Sequence, residues 1–133
     1  MAIVALAGPA SNIIVAFIAL LIVNLFGIFP ANTILIAKIL YYVQYFFFYI
    51  ANINIYLAVF NMIPIPPLDG SRLLTALLPY RYYNLIMRYE RYIYFGLLAL
   101  IWFGVLDVPL SFLSNAVMKG VSTLAGLPFI FFK

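Results

Sequence analysis

The chain has 133 residues, of which 68% are hydrophobic and 8% charged, against roughly 45–50% and 25% in a soluble globular domain. No charged side chain occurs from Met1 to Ala37, and Asp69 is the only one between Lys38 and Arg72. This excludes an ordinary soluble protein, because a hydrocarbon core about 30 Å thick needs about 20 apolar residues as a helix, and several such runs are present. The expected fold class is all-α integral membrane. It is a polytopic helical bundle with three main transmembrane helices and an irregular proline-rich loop. The C-terminal segment is a fourth span, a re-entrant piece or an interfacial helix.

The net charge of +4 comes from seven basic and three acidic residues. Arg72, Arg81, Arg88 and Arg91 cluster, and beside membrane spans such a cluster marks a cytoplasmic loop rather than a nucleic-acid site. No nucleic-acid partner is expected; the lipid bilayer is. There is no cysteine, hence no disulfide framework and no thiolate metal site, and no histidine, the commonest general base and metal ligand. The N-terminus lacks the basic n-region of a signal peptide, and its apolar run continues too far to be one.

Taken in order, Gly8-Pro9 precedes an apolar run over 10–29. Proline suits the first turn of a helix, where its missing N–H would have had no partner. Gly27, Pro30, Asn32 and Thr33 predict a tight turn, with Thr33 capping a second helix over 33–62 that Pro64 stops. That helix, roughly 42–45 Å long at 1.5 Å per residue, must tilt or protrude. Three prolines within 64–67 predict extended, polyproline-like backbone over the irregular break at 64–70, with a turn at Asp69-Gly70. A short helix is predicted over 71–78, ended by Pro79, and a third long helix over 82–106. Only 92–106 of it is free of charge, so Arg88 and Arg91 must snorkel to the headgroups. The tail, 108–133, is apolar with scattered Ser, Gly and Pro. The arginines predict that the loop 64–91 is cytoplasmic, with Lys38 the one charge arguing otherwise. No internal repeat divides the chain, so 1–133 is read as one membrane domain.

Asp69 is the outstanding residue, being the sole acid before Glu90 and lying in a break between two membrane helices. Intramembrane carboxylates are functional candidates by default; the plainer reading is an interfacial Asp69 that caps the helix after it. Asn54 and Asn61, seven apart, share one helical stripe. They could hold a backbone or substrate carbonyl, or serve as interhelical glue. Asn12 carries the same pair of readings. The aromatic cluster from Tyr41 to Tyr49 reads as packing surface rather than a cofactor box.

These residues carry a resemblance. Gly8-Pro9-Ala10-Ser11-Asn12 resembles the GPxxN element of the site-2 protease family, polytopic intramembrane zinc metalloproteases. Asn61-Met62-Ile63-Pro64-Ile65-Pro66-Pro67-Leu68-Asp69-Gly70-Ser71-Arg72 resembles that family's second hallmark, an Asn followed by a proline-rich stretch and Leu-Asp-Gly. The resemblance covers 8–12 and 61–72, a partial site-2-protease-like core. It implies that Asp69 is the third zinc ligand, that Asn61 helps position substrate, and that Gly8, Pro9 and Asn12 border the substrate path. It further implies zinc as cofactor and peptide-bond hydrolysis within membrane-spanning proteins.

The family's other two ligands and its catalytic glutamate come from an upstream HExxH helix, which places two imidazoles on one face. Here HExxH is absent and the only glutamate, Glu90, follows Asp69. A catalytic zinc needs three protein ligands, so this chain alone is not expected to hold it. Because GPxxN begins so soon after Met1, the expectation is a fragment, inactive alone, whose partner is a segment carrying HExxH together with a transmembrane substrate. The alternatives are a non-catalytic homologue that binds transmembrane segments, and a small structural or transport-associated membrane protein.

Overall fold

The computed structural model describes residues 2–72 and 80–132. Four helices account for most of it: α1 (Ala2–Phe26), α2 (Ile34–Asn61), α3 (Tyr80–Trp102) and α4 (Asp107–Gly126), followed by a 3-10 turn (Leu127–Phe132). There is no strand among the described residues. Two helices are each long and apolar enough to cross a membrane, Ala5–Phe26 and Ile34–Asn61. The pair Arg88–Trp102 and Asp107–Ile130 is long and apolar enough only when taken together, and it bends by 82° at the break, the geometry of a broken span or a re-entrant loop. The chain is an integral membrane protein.

The start of α1 departs from the sequence expectation. The helix does not begin after Gly8-Pro9 but runs through it, with Pro9 inside. In lipid every backbone polar group must be satisfied internally, so ending a helix in apolar surroundings costs more than the one bond Pro9 cannot make. Gly8 helps, because a residue before proline resists the helical region partly through its own Cβ, and glycine has none. The far end is also earlier than expected, at Phe26 rather than at residue 29. The Gly27 N–H bonds the carbonyls of Val23 (3.0 Å) and Asn24 (3.1 Å) there.

Helix α2 starts where its cap directs. Thr33 is extended (φ −137°, ψ 156°) and its side chain accepts from the Ile36 N–H at 3.2 Å. It ends at Asn61, and 62–68 is a chain of turns rather than polyproline-like backbone. Ile65 N–H bonds Ile63 O at 2.8 Å and Leu68 N–H bonds Ile65 O at 2.9 Å, while the Pro66–Pro67 peptide is cis. Helical backbone resumes at 69–72, two residues before the expected start, and the rest of the short helix predicted over 71–78 falls mostly outside the described residues. Helix α3 ends at Trp102, not 106, because Gly104 turns the chain at φ +66°, a conformation glycine adopts without strain.

Helices α1 and α2 form an antiparallel pair, and α4 packs against both. Their shared core is Ala16, Ala19, Leu20, Ala51, Ile55, Val59, Val121 and Ala125. Half of these are alanine, as expected where association depends on close backbone approach rather than on removing apolar surface from water. The Asn24 amide adds a polar tie, donating to Leu20 O in its own helix (2.9 Å) and to Ala125 O in α4 (3.4 Å). The tail left open in sequence is thus a helix docked on the first two.

Candidate functional site

The antiparallel pairing returns the chain, at the end of α2, to the level of the first turns of α1. There the two motifs meet. A Cβ built on Gly8 would fall 2.9 Å from Asp69 Oδ2 and 3.8 Å from its Cγ. The carboxylate therefore rests on the bare backbone of α1, in space that only glycine leaves open. Asp69 is half-buried and stands in the first turn of the helical segment 69–72.

The turn that presents Asp69 is tightly built. Ser71 is buried, its N–H bonding Leu68 O at 3.0 Å and its hydroxyl donating to the same oxygen at 2.7 Å. Gly70 is buried against the preceding loop: a Cβ there would overlap the Met62 carbonyl oxygen and lie 2.6 Å from that of Ile63. Pro66 is buried beneath. On the other side, Pro9 is buried and Ser11 donates its hydroxyl to Gly8 O at 2.7 Å.

The remaining candidates are dispersed around this contact. Asn12 lies one turn beyond Gly8 and is half-buried, as is Asn61 at the last position of α2. Neither side chain makes a hydrogen bond among the described residues. Asn54, on the same helix, donates its amide to Ile50 O at 2.8 Å. Two features carried no sequence signal of their role. Gly70 reads as a simple turn residue but serves as a backbone contact, and Asn24 was one polar residue in an apolar run.

The donor set decides what the site can hold. Asp69 offers one carboxylate, and no group of three His, Cys, Asp or Glu side chains that could hold a metal occurs among the described residues. With no histidine or cysteine in the sequence, the residues of this chain do not by themselves fit a catalytic zinc.

A family model described as Peptidase family M50 matches residues 1–104. The chain belongs to peptidase family M50. This is the site-2 protease family, and the match takes in both motifs. Over 71 residues the M50 chain is 39% identical to a protein of Methanocaldococcus jannaschii, covering 53% of this chain and 31% of that one. Over 76 residues it is 36% identical to a protein of Bacillus subtilis, covering 57% and 34%. Both relatives carry the name "Putative zinc metalloprotease". The chain thus spans about a third of the length of the curated relatives it matches. No solved structure matches it.

Proposed function

We propose that this chain forms the substrate-side part of a site-2-protease-like intramembrane zinc metallopeptidase, which hydrolyses peptide bonds within membrane-spanning proteins. Alone it is inactive. The observation that carries the reading is the seating of the Asp69 carboxylate on Gly8, which joins the family's two downstream motifs in a chain of that family. In this reading Asp69 contributes one ligand and Asn61 positions substrate, while Gly8, Pro9, Asn12 and Asn54 border its path. The two imidazoles and the general base come from an HExxH segment outside these 133 residues. Zinc belongs to the assembled site and not to this chain alone. The loop 64–91 faces the cytoplasm, where its arginines are retained.

The test is reconstitution. The full chain is co-expressed with, or fused to, a membrane segment carrying HExxH from a longer M50 relative, and the purified complex is assayed for bound zinc and for cleavage of a helix-destabilised transmembrane substrate. Zinc retention and cleavage are both expected, and Asp69→Ala removes both. Asn61→Ala weakens cleavage but leaves zinc in place. An assembled complex in which Asp69→Ala keeps full zinc and activity overturns the assignment and returns Asp69 to a cap of the helix at 69–72.

A further inference from the structure

An aspartate at the start of a helix has a default use. Its carboxylate folds back to accept the N–H two or three residues on, and so caps the helix. Asp69, in the first turn of the segment 69–72, does not do this. Its carboxylate accepts no hydrogen bond among the described residues. It lies against Gly8 of α1 instead, with Oδ2 2.9 Å from where a Cβ on Gly8 would stand. A half-buried carboxylate placed so forgoes charge-assisted bonds that its own backbone offers. The turn must therefore hold it away from that backbone.

The nearest donor it forgoes is the Ser71 N–H, and that group is already taken. Both polar groups of Ser71 go to a single acceptor, the N–H to Leu68 O at 3.0 Å and the hydroxyl to the same oxygen at 2.7 Å. Leu68 immediately precedes Asp69, so these two bonds fix the peptide from which the carboxylate springs. Ser71 is 5% exposed, and the Gly70 backbone between the two residues is pressed on the Met62 and Ile63 carbonyls. Ser11, Ser111 and Ser122 also donate to the carbonyl three residues back. None of them is buried, and none has an acid two residues before it.

We propose that Ser71 is the positioning residue for Asp69. By committing both of its donors to Leu68 O, it denies the carboxylate the nearest partners in its own turn, and the carboxylate projects across to α1. Without the hydroxyl, the Leu68 carbonyl loses its shorter bond and the turn relaxes. The carboxylate then captures the N–H at position 71, as in an ordinary Asx turn. The serine thus keeps Asp69 available as a ligand. That last consequence rests on the function proposed above; the placing of the carboxylate on Gly8 does not.

The test is whether Ser71 controls the contact between Asp69 and Gly8. In the full chain in mixed micelles, the coupling between Gly8→Ala and Asp69→Ala is measured by unfolding, in the native background and with Ser71→Ala. The native coupling should be about tenfold in the unfolding constant, and Ser71→Ala should reduce it below about twofold. Ser71→Thr keeps the hydroxyl and should retain the coupling. A serine that only adds stability would shift all four chains of the cycle equally and leave the coupling as it was. Should Ser71→Ala not fold, Ser71→Cys fills the same space with a weak donor and should lose the coupling likewise. Full coupling without the hydroxyl, loss of coupling in Ser71→Thr, or no coupling in the native chain would each overturn the proposal. The reconstituted complex supplies a separate readout, in which Ser71→Ala should hold zinc about tenfold more weakly and Ser71→Thr about as well as the native complex. Equal zinc retention in Ser71→Ala would also overturn it. A native complex that binds no zinc defeats the protease reading alone, and the cycle still decides the role of Ser71.

Discussion

Replacing Gly8 by alanine tests the contact between the two motifs. The added methyl would sit 2.9 Å from Asp69 Oδ2, inside the roughly 3.3–3.6 Å at which carbon and oxygen ordinarily meet. Either the carboxylate rotates away or α1 shifts, and overpacking of this kind costs about 1–3 kcal/mol. Alanine also returns about 1 kcal/mol of helix propensity, so the net loss is about 0–2 kcal/mol. Gly120 calibrates that gain, because a Cβ there meets nothing within 4 Å; Gly120→Ala should stabilise by about 1 kcal/mol. The strain against Pro9 is separated by a double-mutant cycle. Asp69→Ala removes the carboxylate, so Gly8→Ala should cost less in that background, with a coupling of about 1–3 kcal/mol. The assay is reversible unfolding in mixed micelles, followed by helical circular dichroism and by proteolysis. If Gly8→Ala stabilises as much as Gly120→Ala, and the cycle shows no coupling, the carboxylate does not rest on α1 and the reasoning fails.

Gly70→Ala should be the more damaging glycine change, at about 3 kcal/mol, because its neighbours are the Met62 and Ile63 carbonyl oxygens and backbone cannot swing aside; a neutral variant in the same unfolding assay would contradict the turn described. Thr33→Ala should cost about 1 kcal/mol and Thr33→Ser almost nothing, since only the cap to the Ile36 N–H is at stake. Asn24→Leu should loosen α4 from α1 by about 0.6 kcal/mol, given one long interhelical bond, read as faster proteolysis within α4. In the purified chain, zinc measured after dialysis should be no higher than in Asp69→Asn, because one carboxylate leaves most of the ion's dehydration uncompensated; stoichiometric zinc lost in the Asn variant would refute this.

What could be read in the sequence was local chemistry. Thr33 announces α2 because a hydroxyl one residue before an apolar run has a single obvious acceptor role, and the helix begins one residue after it. The integral-membrane character follows from the scarcity of charge over the first two helices, where Lys38 is the only charged side chain. Pro9 misleads because the first-turn rule is learned where water can take over broken hydrogen bonds; in lipid the helix continues through it. The break at 62–68 was evident from its prolines, but its turn geometry depends on Ser71, Leu68 and the buried Gly70 acting together. The Asp69–Gly8 contact is not a property of either motif alone. It needs the antiparallel pairing of α1 and α2, and nothing local encodes which residue of α1 will lie opposite the turn. Asn54 and Asn61 share a stripe by arithmetic, yet an amide in a helix can also bond its own backbone, as Asn54 does.

The alanine-lined contact among α1, α2 and α4 has a calorimetric consequence. Large heat-capacity changes on unfolding arise when apolar surface meets water. When these helices separate within a bilayer, Ala16, Ala19, Ala51 and Ala125 exchange protein neighbours for lipid tails that are as apolar as the protein. Their association should then carry a heat-capacity change near zero. Its free energy would vary almost linearly with temperature, with neither the stability maximum nor the cold-side weakening of a soluble core of the same size.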